Sequence, residues 1–480
     1  MNITDDIRLR AREHPDAAAV IVPAFPPLVP RTRVVTYGRL DRTIDSVAAR
    51  VLALGLVPGR VAGIAINDKY RQLVLLLALA RAGVAWRAGE SSAGVDLMFV
   101  RGDRPAPPGS RSVVPDASWF PRDPADAVPV APHADGSAIC AILNTSGTTG
   151  TAKRVALSHR ALVERVRSAD RGFPLPVPLT LLSPHAPTSG YGLRHMLHAL
   201  LTGATIVLPR MRHDFVELIR EHRVTHLVAP PATLATILAA RADDAQPLPS
   251  LLMIESGGSE LPPALEAKAR HTLCPTIVSS YGATEAGPVA AGRLADLAGR
   301  RGAVGYVLPD VVVQAVDDAD VPLPPGTTGT IRARCPGMAH EYYGDPAATA
   351  RVFRDGWFYP GDLGSVSQDG LLVIEGRADE VINAGGNKID PRVIEDALRE
   401  VPGVSDAAAF GAPDADGAIA ICAAIVADER ATDEHIDAVR RRLQFVAPKR
   451  IFRVGALPRN ENGKVLRQAL VRLAATSPAS

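Results

Sequence analysis

Up to about residue 360 the chain alternates short β-branched runs with helix-like segments, and no other feature constrains its fold as tightly. One cycle reads Ile254-Glu255 as strand, Gly257-Gly258 as turn, a helix beginning near Pro262, and residues 276–280 as the next strand. Strands separated by helices predict parallel sheets covered by helices. The next stretch differs: residues 311–316, 329–333 and 371–374 read as strands, with turns at Pro324-Pro325-Gly326 and Asp369-Gly370. That pattern predicts a small antiparallel β subdomain. From about Glu380 come a Gly385-Gly386 hairpin and a helix capped by Asp390 with Pro391 at its first position. Strands over 407–410 and 418–426 follow, then a helix whose Ile436, Val439 and Leu443 share one face. The fold class expected is α/β: a large N-terminal domain over 1–378 and a small α+β domain over 379–480.

A chain of 480 residues with 47% hydrophobic content buries a large core. Lys+Arg of 53 against Asp+Glu of 51 leaves a formal charge of +2, with no bulk field for nucleic acid or an anionic membrane. Partners must therefore be argued from sites. Cys140, Cys274, Cys335 and Cys422 are far apart and lack metal-ligand spacing, so free buried thiols in a reducing compartment are expected. The start, with Asp5, Asp6, Arg8 and Arg10, has no apolar signal region, and the aliphatic run 73–80 is too short to span a bilayer. A cytoplasmic location is expected. The Pro/Asp-rich stretch 105–132 reads as surface loop.

The densest chemical signal is Leu143-Asn144-Thr145-Ser146-Gly147-Thr148-Thr149-Gly150-Thr151-Ala152-Lys153. It follows an apolar strand over 138–143 and precedes a helix that Ser158 caps and whose Leu162 and Val166 share a face. A loop between strand and helix gathers backbone N–H groups around an anion. Glycines admit the ligand to the backbone, hydroxyls donate to its oxygens, and Lys153 adds a mobile charge. A Walker loop is excluded, because Gly147 and Gly150 have two residues between them where that motif needs four.

The segment resembles the phosphate loop of the adenylate-forming superfamily: acyl- and aryl-CoA synthetases, luciferase and peptide-synthetase adenylation domains. It departs from that pattern where relatives carry Pro-Lys-Gly and this chain has Ala152-Lys153-Arg154. Further motifs occur in the superfamily's order from about Val35 to Leu470, although the chain is shortened after Ala85-Trp86. The resemblance implies that Thr145, Ser146, Gly147, Thr148, Thr149, Gly150 and Lys153 hold the ATP phosphates. Ser280-Tyr281-Gly282-Ala283-Thr284-Glu285, at the end of a predicted strand, implies Tyr281 stacked on adenine, Thr284 on the phosphates and Glu285 on Mg²⁺. An oxygen ligand suits Mg²⁺, which takes one or two carboxylates plus substrate phosphates. Gly257-Gly258-Ser259-Glu260 resembles the turn against the adenine and acyl group. Asp362 is implied to bind both ribose hydroxyls, Arg377 to reach ribose and phosphate, and Asp379 to be the hinge of a mobile C-terminal domain. Gly385 and Gly386 belong to the loop implied to enter beside the pantetheine tunnel.

Lys464, in Pro458-Arg459-Asn460-Glu461-Asn462-Gly463-Lys464, matches the catalytic lysine. Adenylation brings a carboxylate against the α-phosphate, and two like charges ~4 Å apart repel by about 4 kcal/mol at intermediate dielectric. A compact ammonium touching both offsets that repulsion. The acyl pocket is less determined: His185, Thr188 and Tyr191 all stand near the place where relatives put a histidine or aromatic, and the resemblance implies Gly257 as a further pocket residue. Amino-acid adenylation domains usually carry an aspartate in this helix, and none occurs over 183–204, which counts against an amino acid substrate. The resulting expectation is an acid:CoA ligase using ATP, Mg²⁺ and CoA. A stand-alone enzyme loading the phosphopantetheine of a carrier protein is the alternative, and an inactive nucleotide-binding relative is the third.

Overall fold

A computed structural model describes the chain except residues 26–28, 30, 90–93, 103–110, 122–123, 125, 146–152, 176–178, 211–212, 242–244, 379, 381, 385–386, 415–418, 460–462 and 477–480. Its contacts group into two compact units. The first comprises Met1–Thr145, Lys153–Val313 and Ala333–Phe358; the second holds Gln314–Arg332 and Tyr359–Ser480.

In the first unit, one sheet runs Arg33–Thr36, Ala18–Val22, Thr205–Val207, Thr180–Leu182, His226–Val228, Met253–Gly257, Ile277–Ala283, Gly287–Arg293 and Ala303–Val307. From Ala18–Val22 to Ile277–Ala283 the strands pair parallel, and antiparallel strands flank them on both sides. A second sheet runs Ser112–Val113, Leu97–Val100, Val61–Ala65, Ala85–Ala88, Ile139–Asn144 and Arg154–Ser158, parallel except for the last pair. The expected helix-covered parallel sheets are present. The aliphatic run lies in the helix Lys69–Arg81, where Leu73, Leu75, Leu76, Leu77 and Leu79 are fully buried. At roughly 2 kcal/mol for each buried leucine, this helix is a principal anchor of the core. Among the described residues no helix is long and apolar enough to cross a membrane.

That helix ends at Arg81, whose side chain is wholly shielded. Its Nη2 donates to Asp41 at 2.6 Å, its Nη1 to Asp45 at 2.8 Å and the Asp41 carbonyl at 3.1 Å, and its Nε to Thr4 Oγ1 at 3.4 Å. Arg8 also donates to Asp45, at 2.6 Å, and ties the helix Asp5–Glu13 to the same cluster.

Three local expectations need correction. The stretch after Lys153 does not enter a helix directly: Arg154–Ser158 is a strand antiparallel to Ile139–Asn144, and the helix His159–Gly172 begins only afterwards. Buried Val155 and Leu157 alternate with less buried neighbours, the period of a strand. The loop is therefore a hairpin connection, and the helix-terminus argument for anion binding does not apply to it. Second, Tyr281 and Gly282 lie within the strand Ile277–Ala283 rather than beyond it, paired to Ala290 and Pro288. Third, residues 105–132 are not loop throughout: Ser112–Val113 is a strand, and Trp119 is buried edge-on to Phe99 at 5.8 Å.

Gly329–Arg334, whose last two residues belong to the first unit, Asp362–Val366 and Leu371–Arg377 form an antiparallel ladder; its outer strands match the runs 329–333 and 371–374, and Asp362–Val366 is an additional strand between them. Ile382–Ala384 pairs with Asn387–Ile389 as a hairpin. Val404–Pro413, longer than the strand read over 407–410, pairs antiparallel with Ile419–Ala427, and Arg450–Arg453 adds parallel. One face of this sheet buries Ile394, Leu398, Ile436, Val439 and Leu443, and the other Phe410, Phe452 and Leu470. Asp390 caps the helix Pro391–Arg399 by accepting from Arg392 N at 2.9 Å. The four cysteines are free and buried.

Candidate active site

The ends of the Thr/Gly-rich loop are clamped together. Thr145 N donates to the Lys153 carbonyl at 2.8 Å, directly beyond the Asn144–Arg154 strand pair. Ser146, Gly147, Thr148, Thr149 and Gly150 lie outside the described residues, as do Asp379, Gly385 and Gly386. Lys153 Nζ stands 4.9 Å over the ring of Tyr342, whose hydroxyl donates to Glu285 Oε1 at 2.6 Å. One buried tyrosine thus joins the loop lysine to the carboxylate expected to hold Mg²⁺. That join is the centre of the site.

The backbone carrying Glu285 is fixed by a residue the motifs did not include. Arg165, in the helix His159–Gly172, donates Nη1 to the Thr284 carbonyl at 2.9 Å, Nη2 to the Glu285 carbonyl at 2.8 Å and Nε to Gly337 O at 2.8 Å. Burial pulls its pKa down to about 10, so it stays charged at neutral pH. Glycines make room around it: a Cβ on Gly287, at φ +82°, would meet Arg165 at 3.0 Å, and one on Gly282 would meet Gly287 O at 2.3 Å. Thr284 Oγ1 lies where a Cβ on Gly190 would be 3.3 Å away, so Thr284 packs at the start of the helix Gly190–Thr202.

Beside this stands a second group of charged and aromatic side chains. Tyr191 packs edge-on to His185 at 4.9 Å and to His195 at 4.6 Å, and its hydroxyl would be 2.9 Å from a Cβ on Gly257. Three of the acyl-pocket residues expected from sequence, His185, Tyr191 and Gly257, are therefore together. Thr188 sits in the turn before the helix. Gly258, at φ +89°, needs glycine for its left-handed backbone and leads into Ser259. Arg194, one residue round from Leu193 on the same helix, bonds through Nη2 to Glu255 Oε1 and lies 3.4 Å from Ser280 Oγ. His195 Nδ1 is 2.8 Å from the Tyr191 carbonyl, and Nε2 stands between Arg194 Nη2 at 2.7 Å and Glu255 Oε2 at 3.0 Å, so it faces a donor and an acceptor at once. Burial first and Arg194 second hold that ring neutral, with its pKa near 4. Against the opposing effect of burial, the Arg194 guanidinium holds Glu255 well below its ordinary value. Its carboxylate is also 3.6 Å from His226.

In the second unit, Asp362 is buried and accepts from Arg377 Nη1 at 3.2 Å. The two are direct partners across the antiparallel strands, so two residues expected to face the nucleotide meet. Lys464 Nζ is 3.1 Å from Glu380 Oε1, whose other oxygen accepts from Arg467 at 2.8 Å. Arg467 continues to Glu395 at 2.6 Å, which anchors Lys464 and its carboxylate partner to the helix Pro391–Arg399.

The AMP-binding enzyme profile matches residues 98–343, just over half the chain, and the profile for the C-terminal domain of AMP-binding enzymes matches residues 393–464. The chain belongs to the AMP-binding enzyme family. It is 32% identical over 366 residues to an indoleacetate–CoA ligase of Aromatoleum aromaticum, spanning 73% of this chain and 70% of that protein. A fatty acid–[acyl-carrier-protein] ligase of Streptomyces coeruleorubidus is 30% identical across 93% of each chain. The o-succinylbenzoate–CoA synthetase of Bacillus subtilis, solved with AMP, shares the fold at a TM-score of 0.84 over 97% of this chain and 98% of that one, with 21% identity.

The family implies Mg²⁺ with its nucleotide, and the donor set fits. Among the described residues no cluster of three or more His, Cys, Asp or Glu is arranged around a metal; Glu285 would be one ligand beside phosphate oxygens. That is an ordinary set for Mg²⁺, and Tyr342 occupies only one of the carboxylate oxygens.

Sequence reasoning missed Arg165, Arg194, Glu255 and Tyr342. Arg165 left a signal in its position on the apolar stripe between Leu162 and Ala169, where an unpaired charge would be costly. Glu255 left another, as the one carboxylate in the wholly buried strand Met253–Gly257.

Proposed function

We propose that the chain activates a carboxylic acid with ATP and passes the acyl group to a phosphopantetheine thiol, CoA being the first acceptor. An oxygen of the acid attacks the α-phosphorus, the bond to pyrophosphate breaks, and an acyl-adenylate forms. The thiol sulfur then attacks the acyl carbon, AMP leaves, and the thiol proton passes to solvent. The observation that carries this reading is the Tyr342 join, which sets Lys153 over the ring and Glu285 at the hydroxyl of one buried side chain. An ammonium and a carboxylate so close together suit a polyphosphate and its counter-ion.

In this reading Glu285 holds Mg²⁺, which when bound offsets the charge on the phosphates. Arg165 keeps the Thr284–Glu285 backbone from moving, Tyr281 stacks on adenine, and Asp362, oriented by Arg377, accepts from the ribose hydroxyls. Lys464 serves adenylation, and the Glu380 carboxylate holds it when it is not engaged there. The C-terminal domain, over 379–480, turns about Asp379 between the half-reactions, so one acyl site serves both.

The indoleacetate–CoA ligase relative favours CoA, and the carrier-protein ligase relative supports the second reading, in which a carrier protein presents the same thiol. The test separates the half-reactions. Lys464→Ala should lower acid-dependent pyrophosphate release by roughly 10²–10³ and leave thioester formation from supplied acyl-AMP nearly intact. Equal loss in both would refute the assignment. Supplying CoA or a carrier protein to the wild-type enzyme decides the acceptor.

A further inference from the structure

Arg194 and Glu255 form an ion pair at the acyl-pocket residues, and no step of the adenylation chemistry uses it. Glu255 is buried and Arg194 partly so: the side chains are 7% and 16% exposed. Alternation along Met253–Gly257 puts Glu255 and Gly257 on one face of the sheet, and the register places Ser280 beside Gly257. Arg194 reaches Glu255 and Ser280 from the helix above, so the pair lies directly next to the Tyr191–Gly257 contact.

Two properties of this wall bear on what it admits. Within the pair the charges cancel, one guanidinium meeting one carboxylate; the adjoining His185 and His195 are neutral, and the next cation is Lys69, which acts on His185 and donates to the Pro184 carbonyl at 2.5 Å. A second carboxylate on the substrate would face Glu255, and an ammonium would face Arg194. Neither gains. The wall is also under-satisfied, since the Tyr191 hydroxyl and His185 Nε2 are buried and make no hydrogen bond among the described residues. Among the described residues the hydrogen bonds of Arg194 within 3.5 Å run through Nη2, although the guanidinium has five donors and also lies 5.3 Å from the centre of the Tyr191 ring. A hydrocarbon seated here leaves those groups unpaired, whereas a neutral acceptor takes a hydrogen bond from them.

We infer that Tyr191, Arg194 and Glu255 select carboxylic acids whose far end is an uncharged hydrogen-bonding group, a ketone, amide or hydroxyl, over hydrocarbon or doubly anionic acids. The inference rests on the adenylation reading above and assigns its substrate class.

Isosteric triads test it on the whole enzyme by acid-dependent ATP–pyrophosphate exchange. On an aromatic frame these are 4-acetylbenzoate, 4-isopropylbenzoate and terephthalate; on an aliphatic frame, 5-oxohexanoate, 5-methylhexanoate and glutarate. Within the frame that fits, the keto acid should show kcat/KM at least about tenfold above both partners, the scale of one lost hydrogen bond to a buried group. Tyr191→Phe should shrink that ratio by lowering the keto acid alone. The double variant Arg194→Met with Glu255→Leu replaces the pair by apolar volume, an exchange that buried pairs often tolerate. It should reverse the order towards the hydrocarbon acid while retaining the wild-type unfolding midpoint within a few degrees. A wild-type enzyme that ranks the hydrocarbon or the diacid first overturns the inference, as does a folded double variant with unchanged ranking. Exchange with none of the acids overturns the adenylation reading itself, and the inference falls with it.

Discussion

Two ion-paired arginines of the first unit, one buried and one partly buried, make opposite use of the same chemistry. Arg81 spreads its donors over Asp41, Asp45, a carbonyl and Thr4, and Asp45 also accepts from Arg8 and from Val130 N at 3.0 Å. Among the described residues, the hydrogen bonds of Arg194 within 3.5 Å run through one nitrogen, beside a tyrosine hydroxyl and a histidine nitrogen with no partner at that distance. A fully satisfied cluster fastens elements together and has nothing left to offer. A partly satisfied one costs stability, and a ligand restores the balance. The difference separates a structural ion cluster from a recognition surface, although both look alike as charges in an apolar sequence.

The largest effect expected from breaking that contrast is at Arg81. Arg81→Met leaves Asp41 and Asp45 without their main buried cation and should cost about 3–5 kcal/mol in denaturant unfolding. The relative kcat/KM values among acids should not change. A loss under 1 kcal/mol, or a shifted acid preference, would merge the two clusters into one class.

Next in size is the response to pH. Burial and neighbouring cations hold His185 to about 3 and His195 to about 4, against an ordinary value of 6.5. These rings stay neutral in the fold while the unfolded chain takes up protons. Stability is therefore unaffected above pH 6.5 and falls as the pH drops from 6.5 towards 4, by up to ~3 kcal/mol for each ring. The groups facing His195 are Arg194 and Glu255, and Glu255 stays ionised through this window because its own pKa is depressed. His195→Gln should flatten the profile, and an unchanged slope would contradict the account. The smallest effect is expected for Thr4→Val, which keeps shape but removes the acceptor of Arg81 Nε and the donor to Asn2 Oδ1. It should cost about 1 kcal/mol in stability and leave every kinetic constant alone.

Features whose residues lie close together in the chain were legible from sequence. Alternating strands and helices gave the sheets, Ser158 and Asp390 cap the helices they were expected to cap, and Tyr281 to Glu285 and Asp362 stand out as contiguous motifs. What escaped is made by residues far apart. Arg165 reaches Glu285 across 120 positions, and Arg194 reaches Glu255 across 61. Each half of such a pair is only a charge among apolar neighbours, and nothing local names its partner. The hairpin after Asn144 was misread for a different reason: five residues, Arg154–Ser158, carry its whole alternation, and the strong cap at Ser158 drew attention to the helix instead.

Acid-dependent exchange of labelled pyrophosphate into ATP tests the central claim most directly. Wild-type protein with Mg²⁺ and a keto-acid probe should exchange well above the acid-free rate, and Glu285→Gln should abolish most of it. Exchange that is absent with every acid supplied, or equally fast without any, would contradict the account.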